Sequence, residues 1–294
     1  YYVSTTGNDN NDGSKGSPWA SLARCLKQIA SLTNKNKANI LKTAVTFNIE
    51  KGTYYQTTPL MFNSSISGSE QAPISFVGDS SGDVIVSGGV QVKDWKLVGS
   101  NTWEAHVTQN DVRQMWINGQ RRKRVNCGIM TYDHFESISG DHAFELVSKD
   151  DLPSTTDTGI EMVVYQYWTS SYHQVSSIDG KNVKVANPMY APYTASASGH
   201  RFYLENVKSC LTNSPGSFHF DKNTHIVTYH ANAGEDLTKL NVVLPSLTEI
   251  LTSMGDATSN QFVDYVTFDG ITFSHSAADM SSCLTKDSTC NGQS

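Results

Sequence analysis

Short runs of alternating apolar residues, each stopped by a glycine turn, constrain this chain more than any other feature. Val45-Thr46-Phe47-Asn48-Ile49 alternates and ends at Gly52-Thr53-Tyr54-Tyr55. Ile74-Ser75-Phe76-Val77 ends at Gly78-Asp79, and Val84-Ile85-Val86 ends at Gly88-Gly89. Strands this short, with no two-residue hairpin turn between them, predict coils of a parallel solenoid rather than a sandwich. One amphipathic helix precedes them. Pro18 is suited to open it, and Leu22, Cys25, Leu26 and Ile29 share one face. A lone helix ahead of a strand-rich chain is expected to cap the open end of the solenoid, whose edge would otherwise pair with other chains.

From about Trp95 the pattern changes to longer, aromatic-rich strands. Trp103–Val107, Met115–Ile117 and Met162–Trp168 are examples. Asn118-Gly119 is a two-residue hairpin signal, and Lys222-Asn223-Thr224 separates Phe218–Asp221 from His225–Tyr229 as a second hairpin. The short pattern returns with Leu240–Leu244 and with Val266 to Phe273, where Gly270 permits a bend between two alternating pairs. The expected organisation is therefore a cap and first coils over 1–94, an inserted antiparallel β domain over 95–239, and resumed coils over 240–294. Residues 279–294 are polar and would cap a solenoid poorly, so the natural protein is expected to continue past Ser294.

A formal net charge of -6 with a pI near 5.8 argues against a nucleic-acid partner, which demands a basic footprint. The run Arg121-Arg122-Lys123-Arg124 is the exception, and reads as a solvated or salt-bridged turn. No run of about 18 apolar residues is present, so no membrane span is expected. The chain begins at Tyr1 rather than Met, as a secreted protein does once its signal peptide is removed, and an extracellular address is expected. Asn63-Ser64-Ser65 is a glycosylation sequon consistent with that address. Among five cysteines, Cys283 and Cys290 are spaced to close a small loop. Cys127 with Cys210 is a candidate second pair, and Cys25 sits in the helical stretch. The opening Gly7–Gly13 segment lacks the later acidic residue of a calcium loop and reads as a turn. No metal or other cofactor is expected.

The ordered motifs resemble a known group. Tyr2-Val3-Ser4, Gly7-Asn8-Asp9 and Pro18-Trp19-Ala20-Ser21-Leu22 look like the start of right-handed parallel β-helix proteins of the pectate-lyase-like superfamily. Gln114-Met115-Trp116-Ile117-Asn118-Gly119-Gln120-Arg121 with Arg124 resembles a segment of β-helix glycoside hydrolases related to α-fucosidases and α-galactosidases. Arg201–Val207, Pro215–Asp221 and Val266–His275 follow in the same order. The implied fold is an all-β, right-handed parallel β-helix with an N-terminal capping helix and an inserted antiparallel β domain. The implied function is glycoside hydrolysis of a polysaccharide or other glycan. Leu204 and Ser217 stand where the relatives carry Trp and Glu. This departure keeps open a non-catalytic adhesion, glycan-binding or self-assembling role.

Glycoside hydrolysis needs two carboxyl groups, about 5 Å apart for retention or about 6.5–9.5 Å for inversion. The resemblance places both on later coils, so no catalytic pair is assigned here. Five residues are substrate-binding candidates. His275 follows the Ile271–Phe273 strand and faces either substrate or solvent. Asp279 is either a groove acid or a loop residue. Glu205, with Asn206, either orients a sugar or ties the insertion down. Arg121 and Arg124 form either a charge clamp on an acidic sugar or inter-domain salt bridges. Trp116 and Trp168 suit either sugar stacking or the core.

Overall fold

A computed structural model describes residues 1–34, 41–137, 144–165, 169–186, 201–280, 284 and 290–293. The chain divides into two compact units. One comprises Tyr1–Val90 with Pro245–Ala277, the other Gln91–Leu244 with Ala278–Ser294.

The first unit is built on short parallel pairings. Tyr2–Val3, Val45–Ile49, Ile74–Gly78 and Val266–Asp269 form one sheet. Gly52–Tyr55, Val84–Ser87 and Thr272–Ser274 form a second, and Leu60–Asn63 with Leu251–Met254 a third. Register follows the alternation in the sequence. Phe47 lies opposite Phe76, and Phe76 opposite Phe268. In-register parallel strands put like side chains over like, and the rings stack at 4.9 Å in both pairs. Trp19 and Tyr1 extend the column with a 4.7 Å stack. Phe47 and Phe76 are fully buried, which stabilises the unit by about 1.5–3 kcal/mol for each side chain.

The helix spans Leu22–Asn34, with Leu22, Cys25 and Ile29 on its buried face. It begins four residues after Pro18 because Ser21 is the cap. The Ser21 hydroxyl accepts the Arg24 N–H at 3.2 Å, while Asp9 accepts the Ala20 and Ser21 N–H groups at 2.8 and 2.9 Å. The Gly7–Gly13 turn therefore serves the helix start. Burial drives the Cys25 thiol pKa upward, so it stays protonated.

The second unit holds an eight-stranded sheet and a closed barrel. The sheet runs Gly89–Val92, Val242–Pro245, Met115–Ile117, Gln120–Arg124, Ser217–Asp221, Ile226–His230, Thr102–His106, Lys96–Gly99. Asn118 and Gly119 both take positive φ, 49° and 77°, and join Ile117 to Gln120 as the tight turn their types favour. Six strands close on themselves: Glu161–Tyr165, Arg201–Glu205, Met130–Ser137, Phe144–Ser148, Asn182–Val185 and Thr169–Asp179, the last returning to the first. Leu146, Met162, Val164, Val183, Phe202 and Leu204 make one buried cluster inside the closed strands. Cys290–Gln293 adds to Thr169–Asp179 as a further strand.

The expected right-handed parallel β-helix is therefore corrected. Among the described residues, all-parallel pairing is confined to sheets of four, three and two strands. Most strands lie in the eight- and seven-stranded sheets, whose pairings are mainly antiparallel. The fold is all-β with mixed sheets and a closed barrel. The glycine-punctuated runs specify short strands, but strand direction is a property of partners distant in sequence. The longer aromatic-rich strands found antiparallel ones.

Candidate functional site

A cleft of about 420 Å³ in the second unit gathers Arg121, Arg124 and Glu205, three of the five binding candidates. It is within the roughly 300–1,000 Å³ usual for small-molecule sites. Gln114, Asn126 and Tyr172 bring polar and aromatic groups to the same lining.

Strand alternation explains how the charges arrive. On Glu161–Tyr165, Met162 and Val164 belong to the barrel core, so Glu161 points to the opposite face. On Arg201–Glu205, Phe202 and Leu204 are core, which turns Glu205 the same way. The pairing sets Glu161 directly opposite Glu205. Two like charges so placed repel. Arg124 lies between them, donating from Nη1 to Glu161 at 2.8 Å and standing 3.8 Å from Glu205. Arg113 donates to the same Glu161 oxygen. Glu161 is fully buried and Arg124 almost so.

These contacts split the two acids. Burial alone would raise the Glu161 pKa, but the Arg124 and Arg113 charges outweigh it and hold the carboxyl below its ordinary range. Glu205 has less compensation, so burial, with the Glu161 charge, pushes it up. Burial opposes the charge on Arg113 too, yet Glu161 raises its pKa overall.

The remaining cations differ in how they are held. Arg122 and Arg124 share one face of their strand, and Arg122 is ion-paired to Glu235, which also accepts the Tyr229 hydroxyl at 2.6 Å. Arg121 and Lys123 alternate with them and are exposed. Counting lining residues with their ion-pair partners, five cations face three carboxylates, Glu161, Glu205 and Glu235. The surplus is two positive charges in a chain of net charge -6.

Two neighbours fix the lining. Asn206, buried and at φ 64°, accepts the Phe220 N–H at 2.9 Å and donates to the Phe220 carbonyl at 2.8 Å. Asn206→Ala removes both bonds, with a third that Nδ2 donates to the Gly159 carbonyl at 3.3 Å, and places alanine in the left-handed region. It is expected to cost about 2–3 kcal/mol in urea unfolding, and a loss below 0.5 kcal/mol would show those bonds to be unimportant. Cys127 and Cys210 form a disulfide beside Asn126, which bridges to Glu205.

The other candidates lie elsewhere. His275 belongs to the first unit, buried at φ 66°, with Nδ1 2.9 Å from the Ser87 hydroxyl and its pKa lowered by burial. Asp279 is exposed, between the lining residues Ala278 and Met280. Asn63 is exposed, its Oδ1 accepting from Ser65. Trp116 is half-buried opposite Arg121 and Val243. Trp168 and Cys283 lie outside the described residues, as does the side chain of Cys290, and with them the proposed Cys283–Cys290 loop. Sequence reasoning did not single out Arg113, Glu161 or Tyr172. The run 121–124 reads in the sequence as a solvated or salt-bridged turn; the structure places it on a strand with Arg122 and Arg124 ion-paired. Its alternation of held and exposed cations appears only once the strand and its partners are known.

Fold and cleft together define an all-β, disulfide-tied protein with a cationic cleft of small-molecule size. No family model and no curated protein matches the chain. A solved structure described as "Glycoside hydrolase" shares the fold, with a TM-score of 0.78 and 24% identity over 94% of this chain and 50% of that one. The chain thus spans about half the length of that neighbour. A complex of XylC with xylose aligns at 12% identity over 94% of this chain and 35% of the other, with a TM-score of 0.37, too low to carry an argument.

Proposed function

We propose that this chain is part of a secreted carbohydrate-active protein of the glycoside hydrolase kind, acting on a polysaccharide, and that the cleft is a saccharide-binding surface. The observation carrying this reading is the convergence of Arg121, Arg124 and Glu205 with Tyr172, Asn126 and Gln114 in one cleft. A sugar presents hydroxyls on its rim and C–H groups on its faces. Charged and amide groups beside an aromatic ring answer both. The shared fold with half of a glycoside hydrolase supports the class. The Cys127–Cys210 disulfide supports an oxidising compartment, and no helix among the described residues is long and apolar enough to cross a membrane.

The lining presents one carboxyl group, Glu205, while Glu161 is sealed behind it by two arginines. Hydrolysis requires two carboxyl groups addressing the glycosidic bond. The cleft by itself therefore supports recognition, which also favours a glycan-binding role without catalysis as the second reading.

The test is an array of plant, algal and animal polysaccharides probed with the chain, followed by calorimetry on the best ligand. Retention of at least one glycan is expected. Asn126→Ala with Tyr172→Ala is expected to weaken it by about tenfold or more, the equivalent of losing one good polar contact. Retention of none, with the chain folded, would sink the reading. Release of reducing ends from the bound glycan would decide for hydrolysis over binding alone.

A further inference from the structure

We infer that the cleft selects anionic saccharides, those bearing carboxylate or sulfate groups, through Arg121 and Lys123. This rests on the saccharide-binding reading and specifies its ligand class.

The argument lies in how the five cations are divided. Arg113 and Arg124 converge on Glu161, and Arg122 is held by Glu235. Their charges are largely answered before any ligand arrives. Arg121 and Lys123 have no ion-pair partner among the described residues, and both line the cleft exposed, where Arg122 is half-buried and Arg124 buried. They are two residues apart on one strand, so their heads are close enough to address one anionic substituent or two on neighbouring sugar rings. Arginine offers a planar fork that matches carboxylate and sulfate, and lysine a mobile point charge.

The balance around them sharpens the choice. The local surplus is two positive charges, within a chain of net charge -6. An extended polyanion such as nucleic acid would meet repulsion beyond the cleft, whereas a short anionic group would not. Glu205, the carboxyl group among the described lining residues, stands 3.8 Å from Arg124, so its charge is met within the cleft. A neutral sugar offers the two cations hydroxyl acceptors only, without the opposite charge that makes a carboxylate or sulfate contact stronger.

The experiment is calorimetry on the whole chain with three matched tetrasaccharides, a neutral galactan, an oligogalacturonide and a sulfated galactan. A single-stranded DNA tetranucleotide serves as a polyanion control. At 50 mM salt, at least one anionic tetrasaccharide is expected to bind about tenfold more tightly than the neutral one, as charge-assisted hydrogen bonds provide. The preference is expected to shrink several-fold at 300 mM salt. Arg121→Ala with Lys123→Ala is expected to bring anionic and neutral ligands to within twofold of each other. Both positions are exposed, so the urea midpoint should not move. Which anionic arm binds identifies carboxylate or sulfate. Equal binding of neutral and anionic sugars would overturn the inference and leave the saccharide reading standing. Failure of all three sugars would overturn the inference, and the polysaccharide array decides the saccharide reading separately. Equal binding of the tetranucleotide would show a general anion site and overturn the selectivity for saccharides.

Discussion

Glu161→Gln is expected to destabilise the second unit by about 3–5 kcal/mol, the cost of leaving buried charge without its partner. Glu161 is fully buried, and its Oε1 is the common acceptor for Arg113 and Arg124. The amide keeps the shape and an oxygen that can accept from both guanidinium groups, but removes the negative charge that answers theirs. Urea unfolding followed by near-ultraviolet circular dichroism measures the loss. A change below 1 kcal/mol would show that the arginines are satisfied without Glu161. Replacing Arg113, Glu161 and Arg124 together with methionine is expected to recover much of the loss, because no charge is then stranded.

The same acid sets a pH dependence. Glu161 has its folded pKa lowered, so its contribution is present above the unfolded carboxyl pKa and is lost as pH falls through the folded value. Glu205 works in the other sense. Its raised pKa means that ionisation opposes folding, and protonation at lower pH relieves that term. In Glu161→Gln the first contribution is absent, so the variant should lose less stability than the parent on acidification.

The second large effect belongs to the disulfide. Replacing Cys127 and Cys210 with alanine opens a covalent loop of sequence separation 83. In the chain-entropy account this costs about 4–5 kcal/mol. The bond ties the segment after Arg124 to the short helix Lys208–Asn213, with the Asn126–Glu205 bridge immediately beside it. Urea unfolding of the oxidised parent against the double alanine variant reads the difference, and a value under 1 kcal/mol would show that the bond merely decorates a structure already fixed. Ligand affinity should fall as well, since the Asn126 and Glu205 positions are set by that segment.

Local features were legible in the sequence because their causes are local. The helix face Leu22, Cys25 and Ile29, the Asn118-Gly119 hairpin and the second hairpin around Lys222–Thr224 follow from periodicity and turn chemistry alone. The alternation Val45, Phe47, Ile49 fixed which side chains are buried. Of the cleft, Arg121 and Arg124 are legible from their place at the junction into the insertion and Glu205 from the resembling segment Arg201–Val207, and the structure brings these three together. His275 is a candidate by its place after a strand and Asp279 as a groove acid or loop residue, and neither ground says what the side chain faces.

What the sequence by itself determined is therefore secondary structure type, strand length and burial, all set within a few residues. The tertiary structure alone decided the partners. Parallel pairing in one unit and a closed barrel in the other depend on strands tens to hundreds of residues apart, and a two-residue period carries no direction. Glu161 reads as one acid in an apolar strand. It becomes the anchor of the cleft only because Arg113, Arg124 and Glu205, from three other segments, converge on it. Which cations stay exposed for a ligand was decided by that convergence, since an ion pair forms through space and not along the chain.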